Sequence, residues 1–332
     1  MLNKVQKAAF DLIQSDARFI YTLFDMQYNA KNIDSNYIAM SMPYIGIFID
    51  GAEQWCNKIG LKNAPRFNGE EKEYYVKLRQ AHKLYEMSYK EYEKLLLDKF
   101  QESDKYFYNI RSLLEKVIGY YNVGADYCNG EVCGNTILCA MYLPFKILGD
   151  EKIGPKISDL SIIIGKLIAS FLGTNLEPFI YDNKNNIVEY RDYHFFGKSP
   201  IKLKSNFGFI LFCILCGINY VIEFLDKIFV DEIPQKFKYA YLQYYYLCDF
   251  IDELNIANNT NYHINKTLKN RTLRNCFAHY GLGQFMKETE INEKDVLKGL
   301  TEKAFYMDYY FCKSLLYEYL TDLKNQIEET IF

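Results

Sequence analysis

Histidine and tryptophan are scarce in this 332-residue chain, with four copies of one and a single copy of the other. So few histidines leave few groups that titrate near neutrality, and the candidates for proton-transfer chemistry are quickly enumerated. An excess of positive charge is also missing. The formal charge of −3 and the pI near 5.9 exclude a protein coated in basic residues, while leaving room for a local basic patch that binds RNA. The opening Met1-Leu-Asn-Lys-Val-Gln-Lys-Ala-Ala-Phe is amphipathic and lacks the long apolar core of a secretion signal. Nine cysteines form an odd, scattered set, which points to reduced thiols and a cytoplasmic location. Cys128, Cys133 and Cys139 fit no zinc spacing, and Cys213-Ile-Leu-Cys216 has redox spacing inside an apolar run, so buried thiols are expected at both places. The longest apolar run, Phe207 to Leu225, is interrupted by Asn219 and Glu223. That leaves about 12 residues where a membrane span needs about 20, so a buried core helix is expected and no membrane partner.

Hydrophobic residues make up 49% and charged residues 24%, which suits a folded domain and permits one unit or two. The pattern is mainly α. Apolar positions at spacings of three and four predict one long amphipathic helix from Tyr92 to Tyr121 and another from Glu293 to Glu328. Shorter buried helices are expected at Ile137–Leu148 and Leu160–Leu172, and breaks near Lys62–Gly69, Cys128–Gly130 and Leu148–Pro155. Pro178–Tyr181 and Ile187–Tyr190 flank the polar run Asp182–Asn186, which predicts a β-hairpin insertion at about 177–196. Further helices are expected at Phe207–Phe229, Lys236–Leu254 and Tyr262–Tyr280. Asn258, Asn259 and Thr260 would cap the last of these at its start, Gly281 and Gly283 at its end. Helices joined by short polar links describe a bundle over 151–332, with a helical N-terminal region over 1–150 that is expected to regulate it or extend a dimer.

The chemistry gathers on the predicted helix Tyr262–Tyr280, in Arg271-Thr-Leu-Arg274-Asn275-Cys-Phe-Ala-His279-Tyr280-Gly281. On a helix Asn275 and His279 share a face, Arg274 lies on the adjoining edge, and both Arg274 and His279 border the core. RNA scission by a 2′-hydroxyl needs a base near neutrality, which histidine supplies, and a fixed cation for the charge on phosphorus, which a guanidinium supplies. Asn275 would orient the imidazole or hold a phosphate. Such chemistry requires no metal and no cofactor, and the sequence shows no carboxylate cluster of the two-metal kind.

Arg, a four-residue spacer and His, with Asn directly after the Arg, resembles the signature of the HEPN superfamily of α-helical nucleotide-binding and ribonuclease domains. The resemblance covers about the last 130 residues. It implies a helical bundle whose homodimer sets two motifs across one cleft, metal-independent endoribonuclease activity, and an antiviral or toxin–antitoxin setting with a regulatory protein or antitoxin as partner. Gly281 stands where some toxins of the family carry tyrosine, and Tyr280 is adjacent instead. Neither Arg79-x-x-His82 nor Arg191-x-x-His194 has the spacing, so a composite site requires two copies of the chain. On this reading Arg274, His279 and Asn275 are catalytic, and Lys266, Lys269 and Arg271 bind RNA. Asp249, Asp252 or Glu253 is a polar helper from the preceding helix, or else part of a solvated acidic stripe. The run Lys236–Tyr246 mixes bases and aromatics that stack nucleotides or, more simply, fill the core. The alternative function is a non-catalytic helical module that binds RNA, nucleotide or protein.

Overall fold

The computed structural model describes residues 2–33, 36–60, 64–143, 153–174, 176–292 and 295–332, with the backbone alone for 153–157. The end of the helix expected at Ile137–Leu148, most of the Leu148–Pro155 break, part of the Lys62–Gly69 break, Glu293 and the boundary at 150 lie outside these residues.

The molecule is mainly helical with a small antiparallel sheet. Helices α1 (Lys4–Asn29), α2 (Tyr37–Met40), α3 (Met42–Ile59) and α4 (Gly69–Gln80) lead into a 3-10 segment, Ala81–Glu86. Then come α5 (Tyr89–Ile110) and α6 (Leu113–Ile118). The single helix expected over Tyr92–Tyr121 is therefore two. Arg111 leaves the helix, and Ser112 and Glu115 close a capping box that starts a new one. No residue of α6 is buried; Leu113, Leu114, Val117 and Ile118 are all exposed.

The expected hairpin at 177–196 does not form. Strand β1 (Val123–Cys128) turns through Asn129-Gly130, both at positive φ, into β2 (Glu131–Asn135). An Asn-Gly pair is the usual seed of a two-residue hairpin, so the expected break at Cys128–Gly130 is a turn between two strands. Strand β3 (Val188–Tyr193) then adds to the other edge of β1, giving the order β2-β1-β3. The Asp182 carboxylate accepts from the Lys184 and Asn185 amides, so the polar turn exists. Its second arm goes elsewhere because Asn129 takes it: the Asn129 amide donates to the Ile187 carbonyl, and the Ile187 amide to the Asn129 side chain, each at 2.9 Å.

Helices α7 (Thr136–Tyr142) and α8 (Ile153–Leu172) flank the middle of the chain. Next come α9 (Asn206–Asn219), a π turn at Tyr220–Leu225 and the short α10 (Asp226–Ile228). This stretch is long and apolar enough to cross a membrane, yet 94% of its most apolar window is buried inside the fold. Helix α11 (Pro234–Asn258) follows, then α12 (Arg271–His279), α13 (Val296–Phe305) and α14 (Tyr309–Ile331). The closing helix expected from Glu293 is broken at Tyr306, in left-handed conformation, and restarted by Asp308, whose carboxylate accepts from the Tyr310 and Phe311 amides.

Buried residues from both sides of position 150 belong to one continuous core. The nine cysteines are free and buried. Within this core sits a charge. Asp16 of α1 is 0% exposed and Lys238 of α11 is 1% exposed, and their side chains form a close ion pair. The Asp16 carboxylate also accepts from Gln235 Nε2 at 2.8 Å, from the Tyr239 hydroxyl at 3.1 Å and from the Tyr280 hydroxyl. Burial pulls the Lys238 ammonium below its ordinary range and Asp16 pushes it back up. Removing one member of such a pair strands the other charge. Lys238→Met is expected to cost about 3–5 kcal/mol in urea unfolding, whereas a loss below about 1 kcal/mol would show that the pair carries little of the fold.

Candidate functional site

The motif helix is shorter than its periodicity implies. Residues 260–270 are irregular, and α12 begins at Arg271 with Asn270 as its cap, its side chain accepting from the Thr272 and Leu273 amides. Asn259, expected to start this helix, instead ends α11 in left-handed conformation. The reason lies in α11, whose side chains satisfy the loop backbone. Tyr241 donates to the Leu268 carbonyl at 2.9 Å and accepts from the Asn270 amide at 2.9 Å. Tyr244 donates to the Asn265 carbonyl at 2.7 Å and accepts from the Leu268 amide at 3.2 Å, and Asn255 bonds both backbone polar groups of Tyr262. With those partners supplied, the loop has no need of helical hydrogen bonds.

At the other end α12 stops at Tyr280 rather than at the expected Gly281. Tyr280 adopts φ 52°, a left-handed conformation that costs a non-glycine residue about 1–2 kcal/mol. Its hydroxyl is anchored on Asp16, and its ring lies over Gly51 of α3, where a Cβ would come within 2.3 Å of Tyr280 Cε2. Leu273, Cys276, Phe277 and Ala278 face the core, with Phe277 edge-on to Tyr241 at 5.6 Å.

Arg274 is buried, 8% exposed, so the expectation that it merely borders the core is corrected. Its guanidinium lies over the Tyr245 and Tyr246 rings of α11, at 5.1 and 5.5 Å from their centroids. Aromatic faces attract a cation and shield it from water together. Glu86 lies 3.9 Å from Arg274 Nη2, and Arg274 Nε is buried without a hydrogen-bond partner among the described residues. His279 is exposed and Asn275 half-buried.

The remaining predicted residues sit apart from this centre. Lys266 pairs with Asp252, and Lys269 with Asp249, so these four pin the 260–270 loop to α11. Glu253 accepts from the Tyr89 amide at 2.8 Å, at the start of α5. None of the three acids makes a hydrogen bond or ion pair with Arg274 or His279 among the described contacts, which leaves the polar-helper role without a geometric basis. Arg271 is exposed. The stretch Lys236–Tyr246 is core: every tyrosine in it is buried, and so are Lys236 and Lys238.

Residues from the N-terminal half also lie against Arg274 and His279. Arg79, at the end of α4, places Nη1 at 3.0 Å from His279 Nδ1 and at 3.1 Å from Asp50 Oδ2 of α3. His82, in the 3-10 segment, is buried, and its Nδ1–H donates to the Arg79 carbonyl. Its ring stands edge-on to Tyr246, centroids 5.7 Å apart. Lys83 is held by Glu86 at 3.1 Å. Arg79-x-x-His82 had the wrong spacing for the motif, yet the fold brings it there. The available signal was scarcity, since two of the four histidines meet at one place.

The electrostatics favour neutral imidazoles. His279 is lowered from the ordinary histidine range first by loss of solvent, then by Arg79, with Lys83 and Arg274 adding and Asp50 opposing. Burial pushes His82 down to about 3, against the hydrogen bond to the Arg79 carbonyl. Among the described residues no three His, Cys, Asp or Glu side chains converge as a metal site would require. No family model, curated protein or solved structure matches this chain.

His82 yields a pH prediction. Its pKa in the folded state lies below that of the unfolded chain, near 6.5, so its contribution to stability is present above pH 6.5. That contribution drains away as pH falls through 6.5 towards about 3. Urea midpoints measured from pH 7.5 to pH 5 should fall more steeply for the wild type than for His82→Asn. Parallel slopes would place the acid-sensitive group elsewhere.

Proposed function

We propose that the chain is a metal-independent endoribonuclease of the HEPN type, acting as a homodimer in which α12 of each copy contributes to one composite cleft. The observation that carries the reading is the packing of α12. Its core face is fixed by Leu273 and Phe277, Arg274 lies over the Tyr245 and Tyr246 rings, and His279 stands exposed at the helix end. Rigid placement of a cation and a base is what phosphodiester scission asks of a protein.

In this reading His279, neutral near pH 7, takes the proton of the RNA 2′-hydroxyl. The O2′ then bonds to phosphorus and the P–O5′ bond breaks. Arg274 stabilises the charge on the phosphoryl oxygens, and Asn275, one turn before His279, positions substrate or ring. Arg271, exposed and without an ion pair among the described residues, is a basic neighbour available to a flanking phosphate. Lys266 and Lys269 would reach RNA only by giving up Asp252 and Asp249. Arg79 and Asp50 come from the N-terminal half, whose buried residues share one core with the rest, and this supports a reading in which that half takes part in the site as well as regulating it or extending the dimer. A regulatory protein or antitoxin, an antiviral or toxin–antitoxin role and a cytoplasmic location belong to the same proposal.

Single-stranded RNA incubated with protein and chelator should be cut, and His279→Ala and Arg274→Ala should each reduce the rate about 100-fold or more. Light scattering should give twice the chain mass of 39.2 kDa. Binding without cleavage would support the non-catalytic module instead. Mutants that cut like the wild type would remove the assignment.

A further inference from the structure

A guanidinium carries five N–H donors and no acceptor. Arg79 Nη1, 3.0 Å from His279 Nδ1, therefore donates, and Nδ1 accepts. A neutral imidazole has one nitrogen with an available lone pair; here it is Nδ1, and the ring proton sits on Nε2. An imidazolium has two N–H groups and cannot accept this bond at all. The arrangement thus belongs to a neutral His279 whose only lone pair is occupied, and such a ring cannot take a proton from a hydroxyl.

The surroundings show what would release it. The charged groups acting on the imidazole are Arg79, Lys83 and Arg274, opposed by Asp50, with Glu86 on Lys83 and Arg274 and a neutral, buried His82 behind. Three cations meet two carboxylates beside an exposed ring. Both Arg79 Nε and Arg274 Nε are buried donors without a hydrogen-bond partner among the described residues. An anionic phosphate oxygen is a stronger acceptor for a guanidinium than a neutral imidazole nitrogen, so exchange of one for the other runs downhill.

Building on the nuclease reading, we propose that Arg79 is a phosphate-binding residue that masks His279 until an RNA phosphodiester draws its guanidinium away. The Arg79–Nδ1 bond is replaced by an Arg79–phosphate bond, while Asp50 keeps the guanidinium tethered at the rim. The freed Nδ1 then takes the 2′-hydroxyl proton, O2′ bonds to phosphorus, and the departing 5′-oxygen takes a proton from solvent. The base is therefore unmasked only where a phosphate is already in place, which restrains the site in the absence of RNA.

The test is nitrogen NMR of the full chain labelled at histidine, with His279→Ala to assign the signal. The probe is a 2′-O-methyl tetraribonucleotide, which carries the phosphates but not the attacking hydroxyl. In the free wild type the proton should lie on Nε2 with Nδ1 hydrogen-bonded, and the probe should move Nδ1 to the position of a free lone pair. In Arg79→Met, Nδ1 should be free from the start, the probe should bind about tenfold more weakly, and RNA cleavage should show KM raised about tenfold with kcat undiminished. A free-state proton on Nδ1, a bound probe that leaves Nδ1 unmoved, or a loss in kcat with KM unchanged would overturn the proposal. The wild-type spectra decide it even if Arg79→Met fails to fold. If the protein cuts no RNA, the nuclease reading fails, while the response of Nδ1 to the probe still decides whether Arg79 trades His279 for phosphate.

Discussion

A carboxylate with no access to water is the constraint on which this fold turns. Asp16 would be costly alone, and the chain answers it with an ammonium, an amide and two phenols drawn from α11 and from the turn after α12. Because these partners are distant in sequence, the network holds α1, α11 and the end of α12 in one arrangement. Tyr280 is its outermost member. The left-handed turn at Tyr280 is unfavourable in itself, and the hydroxyl–carboxylate bond with the bare backbone of Gly51 beneath the ring makes it tenable. His279 is the residue immediately before, so the position of the imidazole is set from the core rather than by the surface.

The same economy governs charge around the imidazole. Arg274 is desolvated by tyrosines, Arg79 is shared between Asp50 and His279, and Lys266 and Lys269 are paired with acids of α11. Little of the positive charge near α12 is therefore unpaired. An RNA phosphate would have to compete for it, which confines binding to places where the existing acceptor is the weaker one. His279, a neutral acceptor, is a weaker partner for a cation than the carboxylates that hold Arg79, Lys266 and Lys269.

Much of this was legible in the chain, and the failures have physical causes. Helix α14 follows its apolar periodicity, and Leu273, Cys276 and Phe277 face inward as spacing alone implies. Residues 260–270 read as helix because their pattern permits one; the hydroxyls of Tyr241 and Tyr244 claim their backbone instead, and such tertiary partners leave no local mark. The sheet was misplaced because Asn129-Gly130, flanked by cysteine and glutamate, looked like a mere interruption. Arg274, Asn275 and His279 stand out by their spacing in the sequence, which shows neither that Arg274 is buried nor that His279 is exposed. Arg79 was not, since its contact with His279 spans 200 positions, and no periodicity reaches that far.

The central claim is that His279 and Arg274 cut RNA through its own 2′-hydroxyl. The termini of the products test it most directly. Internal attack leaves a 2′,3′-cyclic phosphate on one fragment and a 5′-hydroxyl on the other, and mass spectrometry of RNA cut by the wild-type protein should show both, with neither formed by His279→Ala. Fragments bearing 3′-hydroxyl and 5′-phosphate ends, or cyclic ends formed equally by the variant, would contradict the account.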